Sequence, residues 1–168
     1  MIHVCTNDSP LGTLLLAAEN QSLIGAWFEG AKYYGSVLGD TFCEAKEDAA
    51  LRSACAWLNA YFAGTMPDPN ALPLRLSGSE FRQSVLRALL RIPYGETTSY
   101  GALAKQLAAE TGKRVSAQAV GGAVGHNPIS VIIPCHRVLG SDGSLTGYAG
   151  GLERKRMLLQ HESGRKLL

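Results

Sequence analysis

Between residues 63 and 78 the chain passes through Gly64, Pro67, Pro69, Pro73 and Gly78, and its charge changes sign across this stretch. Proline fixes φ and lacks a backbone donor, so neither a helix nor an interior strand crosses such a segment easily. Residues 1–75 hold four Lys/Arg against eight Asp/Glu, a net of −4. Residues 76–168 hold twelve against six, a net of +6. The chain is therefore expected to form two small units, 1–75 and 76–168. The basic second unit suits a polyanionic partner, and charge alone equally allows a solvated basic face.

With 46% hydrophobic and 18% charged residues, the 168-residue chain has the composition of an ordered globular protein. Its longest apolar runs, such as Leu14 to Ala18 and Val131 to Pro134, are far shorter than a membrane span of about 20 residues. The N-terminus carries Asp8 and no basic-then-apolar leader, so a cytoplasmic location, without membrane attachment, is expected.

In the first unit, Thr13 to Ala18 and Leu23 to Phe28 read as strands joined by turn residues Glu19 to Ser22. From Asp48 to Phe62 the apolar residues Ala50, Leu51, Ala54, Trp57, Leu58 and Tyr61 recur at helical spacing. In the second unit, Ser79 caps a helix whose stripe is Phe81, Val85, Leu86, Leu89 and Leu90, ended by Pro93 and Gly95. A helix from Tyr100 to about Ala109 follows, then Gly112, then a short helix from Ser116 to Gly125. Such a pair fits a helix-turn-helix. The last of these helices is built almost wholly of small residues. Glycine there costs about 1 kcal/mol relative to alanine, which implies close approach to something, either a DNA groove or a neighbouring helix. Ile129 to Ile133 reads as a buried strand, Ser141 to Ser144 as a turn and Gly147 to Gly151 as a loop. A final helix from Leu152 to His161 would turn Leu152, Leu158 and Leu159 inward.

Four cysteines are present, Cys5, Cys43, Cys55 and Cys135, with no C-x-x-C pair. A zinc site from His3, Cys5, Cys43 and Cys55 has no compact ligand spacing, and the first three cysteines read as ordinary thiols. Cys135 stands apart, between Pro134 and His136-Arg137. A thiol reacts as its thiolate, which a nearby base or cation favours. Adjacent residues point apart, so His136 would act through a bridging water. A carboxylate on the other imidazole nitrogen would fix the tautomer, and Glu153 and Glu162 are the candidates.

Pro134-Cys135-His136-Arg137-Val138 resembles the active-site motif of the O6-alkylguanine-DNA alkyltransferases. Ala119 to Ala123 and Asn127-Pro128 precede it, and Tyr148 to Leu152, Lys155, Leu158-Leu159 and His161-Glu162 follow it, at similar spacing. Upstream, Tyr61 to Gly64, Phe81 to Val85 and Ile92 to Thr97 are similar as well, so the resemblance spans nearly the whole chain. It implies an α/β (α+β) fold, with a small N-terminal α/β domain and a C-terminal catalytic domain of winged helix-turn-helix type. It also implies a monomer that binds double-stranded DNA containing alkylated guanine and flips the damaged base. By position, Cys135 would be the nucleophile, His136 its base through water, and Glu162 the group that orients His136. Tyr100 would assist flipping and supply a proton to the leaving guanine, and Asn127 would brace the active-site turn. Val138, Tyr148 and Ala149 would line the base pocket. Ser116, Ala117, Gln118, Ala119, Gly121 and Arg137 would meet DNA. The resemblance implies no metal and no organic cofactor.

The chain departs from the family at Gln118, which stands where a base-displacing arginine is usual. The turn before it, about Ala109 to Val115, is long and carries Lys113 and Arg114. Two other functions remain open at this level, a non-catalytic binder of alkylated DNA and an unrelated cysteine hydrolase. If Lys113 or Arg114 replaces the missing cation, a Lys113→Ala, Arg114→Ala double variant will bind alkylated duplex more weakly in a fluorescence-anisotropy titration. Unchanged binding would refute that role.

Overall fold

The computed structural model describes residues 1–164, so the last four positions of the 76–168 unit lie outside the described residues. The chain opens with β1 (Ile2–Ser9), β2 (Gly12–Glu19) and β3 (Ser22–Phe28), an antiparallel meander. A short strand β4 (Phe42–Glu44) pairs parallel to β1 and completes the sheet order β3-β2-β1-β4. The β2–β3 hairpin closes through Asn20 and Gln21, both at positive φ, as a two-residue turn of this hand requires. β1 is an addition to the sequence reading. Its polar Asn7 and Asp8 disfavour strand, yet pairing with β2 along its whole length overrides them.

Helix α1 (Ala49–Phe62) packs on one face of the sheet. Asp48 caps it by accepting from Ala50 N and Leu51 N, and its buried face is the six residues that the periodicity selects. The opposite face of the sheet is also covered. Val4, Ala17, Ile24 and Trp27 form a smaller cluster there with Val37 and Leu38. The Trp27 ring lies directly over Gly25.

The second half comprises α2 (Glu80–Leu90), α3 (Tyr100–Thr111), α4 (Ala117–Gly125) and α5 (Leu152–Glu162). Ser79, Ser99 and Ser116 cap the first three, each accepting from the N–H three residues on. α3 ends at Gly112, whose φ of 70° is the left-handed form that stops a helix. α3 and α4 pack on each other and on α2, giving the expected helix-turn-helix. Beside it, β5 (Thr98–Ser99) and β6 (Val138–Leu139) form a two-residue parallel ladder.

The two halves share one hydrophobic core. They are also joined by backbone hydrogen bonds. Ala26 N donates to Pro128 O at 2.8 Å, and Ser130 N donates to Ala26 O at 2.9 Å. Within the N-terminal half, the same β3 edge holds the connector, with Leu23 bonded between Pro73 and Arg75. The edge of the N-terminal sheet therefore grips the segment just before Cys135.

Two sequence expectations need correction. Residues 129–133 form a buried turn, touching β3 only through a single bridge from Ile129 to Ala26. Val131 sits at φ 70°, a conformation that a β-branched residue adopts only under constraint. In α5 the buried residues are Lys155, Leu158 and Glu162, while Leu152 is 49% exposed. Two charged residues thus occupy the inward stripe of that helix.

The contact between Gly25 and Trp27 is testable. A Cβ at position 25 would fall 2.0 Å from the indole ring. Gly25→Ala is expected to destabilise the protein by about 1–3 kcal/mol, as overpacking of a rigid side chain does, read as a lower urea midpoint.

Candidate active site

Cys135 begins a single turn of 3₁₀ helix, Cys135–Arg137, directly after the strained turn. Asn127 holds that turn. Its amide donates to Ile129 O at 3.3 Å and to Ile133 O at 2.9 Å, and its carbonyl accepts from Ile129 N at 3.0 Å. Cys135 N donates to Ile133 O, so the brace reaches the cysteine itself. The side chain of Cys135 is buried, with 6% of the residue exposed. Burial pushes the thiol above its ordinary pKa, against the lowering pull of the Asn127 amide and the Lys155 ammonium.

His136 is fully buried and donates from Nε2 to Glu162 Oε2 at 2.6 Å. That bond fixes the tautomer, leaving Nδ1 as an acceptor with no hydrogen-bond partner among the described residues. Burial lowers the imidazole pKa and outweighs the raising effect of Glu162. The resting pair is therefore a neutral thiol beside a neutral base.

Glu162 gathers a wide set of donors. Besides His136 it accepts from Tyr61 Oη at 2.6 Å, Arg137 Nε at 2.7 Å, Arg137 Nη2 at 3.0 Å and Gly95 N at 3.2 Å. Burial alone would raise its pKa. The hydrogen bonds from His136 and Arg137, with the charge of Arg137, win and hold the carboxyl well below the usual range. Glu153, the other carboxylate considered, is exposed and pairs with Arg156.

Arg137 requires a correction. It was expected to face DNA, but its Nε and Nη2 bind Glu162 and its Nη1 donates to Ile92 O at 2.6 Å. The group is buried and directed into the protein, where it ties α5 to the end of α2.

A cleft of about 360 Å³ lies between α4 and the loop after β6. Tyr100, Gly121, Gly122, Tyr148 and Ala149 line it, joined by Tyr33 of the N-terminal half, which stacks on His126 at 4.3 Å. The Tyr100 hydroxyl donates to Thr146 O at 3.0 Å, and burial raises its pKa, so it stays protonated. Tyr148 carries a buried hydroxyl with no partner among the described residues. Val138 is fully buried, and its carbonyl, expected at the pocket wall, accepts from Lys155 Nζ at 2.6 Å.

Lys155 had no role in the sequence reading. Its buried ammonium also donates to Thr146 O at 2.8 Å and Gly147 O at 3.3 Å, and so pins the loop that walls the cleft. Tyr61 likewise had none. The available signal was its place on the inward stripe of α1, since a buried phenol needs an acceptor.

Ser116 is occupied as the cap of α4. Ala117, Gln118 and Ala119 follow on the exposed first turn, and Gly121 packs against Tyr100. A Cβ at Gly122 or Gly125 would meet nothing within 4 Å, and one at Gly121 would make only ordinary contact with Tyr100. Packing inside the protein therefore does not demand these glycines. Of the suggested zinc ligands, His3 bonds Asp48 and Cys43 is exposed. Among the described residues no helix is long and apolar enough to cross a membrane.

Together these features define a protein with a buried cysteine, a buried histidine next to it in the same short helix, and a helix-turn-helix. Residues 2–76 match the 6-O-methylguanine DNA methyltransferase ribonuclease-like domain, and residues 80–164 match the DNA binding domain of the same family. The chain belongs to the 6-O-methylguanine DNA methyltransferase family. It is 46% identical over 165 residues to the methylated-DNA–protein-cysteine methyltransferase of Mycobacterium bovis, covering 98% of this chain and 94% of that one. The protein of the same name from Methanosarcina acetivorans is 41% identical, over 92% of this chain and 94% of that one. The crystal structure of Mycobacterium tuberculosis OGT in complex with DNA superimposes with a TM-score of 0.82 at 44% identity, covering 97% and 94% of the two chains.

The Glu162 cluster has a pH signature. A carboxyl with a depressed folded pKa contributes fully above its unfolded value of about 4.3 and loses that contribution as pH falls toward the folded value. Glu162→Gln leaves Arg137 buried without its counter-charge, at a cost of about 3–5 kcal/mol near neutral pH. Urea melts at pH 7 and pH 3 should show the gap from wild type narrowing at the lower pH.

Proposed function

We propose that this chain repairs alkylated DNA by direct reversal, moving the alkyl group of an O6-alkylguanine in duplex DNA onto Cys135 Sγ. The observation that carries this reading is the fixed tautomer of His136, with Nε2 committed to Glu162 and Nδ1 free to accept. A water bridging Nδ1 and Sγ passes the thiol proton to the imidazole as sulfur attacks. The S–C bond forms and the C–O6 bond breaks. Glu162 stabilises the imidazolium that results.

The electron pair left on guanine must be neutralised. Tyr100, protonated and at the cleft wall, releases Thr146 and supplies the proton. The thioether is stable, so each molecule reacts once. The flipped base occupies the cleft, against Tyr148 and Ala149. α4 lies in the groove, where its glycines admit close approach of the DNA backbone. Gln118 on its exposed first turn fills the gap in the stack without a cation. O4-alkylthymine is a second, poorer substrate, and the protein works in the cytoplasm, associated with the nucleoid in a bacterium.

Binding without transfer is the alternative reading, and the presence of Cys135 next to the buried His136 argues against it. Intact-mass spectrometry after incubation with duplex containing O6-methylguanine separates the two. One methyl, about 14 Da, is expected on the Cys135 peptide of each molecule, and none in Cys135→Ser. A wild-type protein that binds this duplex but gains no mass would overturn the proposal.

A further inference from the structure

The proposed alkyl transfer leaves a neighbouring pair of thiols unused. Cys5 on β1 and Cys55 on α1 face each other with their Sγ atoms 3.8 Å apart, in the N-terminal half. A disulfide needs about 2 Å between the sulfurs, so bonding requires a shift that side-chain rotation and small backbone movement supply. Cys5 is buried and Cys55 is half-buried, so Cys55 is the one a small solute reaches. The pair is also polarised. The hydrogen bond with Cys5 holds Cys55 down to about 7 against the effect of burial, while the same bond pushes Cys5 upward. Near neutral pH about half of Cys55 is thus thiolate, while burial keeps Cys135 a thiol.

We propose that Cys5 and Cys55 form a peroxide-reactive dithiol that closes to a reversible disulfide between β1 and α1. Cys55 Sγ attacks the outer oxygen of a hydroperoxide. The O–O bond breaks, and the remaining oxygen leaves as water or an alcohol after taking a proton. The product is a sulfenic acid on Cys55. Cys5 Sγ then attacks that sulfur, the S–S bond forms, and the oxygen departs as water with the Cys5 proton. The two thiols are oxidised by two electrons and one hydroperoxide is reduced. A dithiol reductant returns the pair to its starting state.

The test is peptide mapping of the whole chain after brief exposure to hydrogen peroxide and blocking of the remaining thiols with N-ethylmaleimide. A Cys5–Cys55 cross-linked peptide is expected, about 2 Da lighter than the two free peptides together and lost on treatment with dithiothreitol. Cys43 and Cys135 should carry the blocking group. In Cys5→Ser the sulfenic acid on Cys55 has no partner and should be trapped by dimedone, while Cys55→Ser should give neither product. A cross-link that runs through Cys43 or Cys135, or full blocking of both Cys5 and Cys55 after peroxide, would overturn the proposal. The wild-type map needs no variant to fold, and it is read without DNA.

Discussion

A single buried carboxylate organises this protein. Glu162 receives bonds from α1 through Tyr61, from the segment after α2 through Gly95, and from the cysteine turn through His136 and Arg137. A charge in that position is tolerable only because each neighbouring element brings it a donor. The dependence runs both ways. Without Glu162 the imidazole has no fixed tautomer and the guanidinium no counter-charge. The proposed relay and the junction of the two halves are therefore one electrostatic object, and neither can be altered alone.

Around that object, the N-terminal half has a specific mechanical task. The edge of β3 bonds to residues 128 and 130, while Asn127 closes the other side of the same turn. Clamped from both sides, the chain accepts Val131 in a left-handed conformation and presents Cys135 at the start of a short helix. Tyr33 reaches further, to the stack with His126 beside the cleft. The sheet thus acts on the cysteine through the backbone, with no side chain of its own in the relay.

Local patterns in the sequence reported what local forces decide. The stripe of α1, the serine caps and the hairpin turn were legible because each is set by neighbours a few residues apart. Most long-range partners were not legible from local pattern. Lys155 and Glu162 sit on the inward stripe of α5, yet a stripe of leucines was the natural reading, since the groups that satisfy these charges are remote in sequence. Arg137 misled for the same reason, because a basic residue beside a nucleophile suggests a phosphate contact until Glu162 is placed. Five apolar residues from Ile129 to Ile133 suggested a strand, and only the clamp from Asn127 and β3 makes them a turn. The cysteine motif, the Glu162 partner of His136 and the Asn127 brace were legible through family resemblance, while the bonds of Tyr61, Arg137 and Lys155 were not.

The burial of Cys135 has a consequence for the economics of repair in a cell. A catalyst must let its product out and reset, so its site needs an exit and a way back. In the proposed reaction the alkyl group stays in a closed, tightly packed turn, and only the restored base withdraws. Nothing in the architecture has to accommodate a second cycle. Capacity is then set by the number of molecules present, and synthesis of new chains takes the place of turnover.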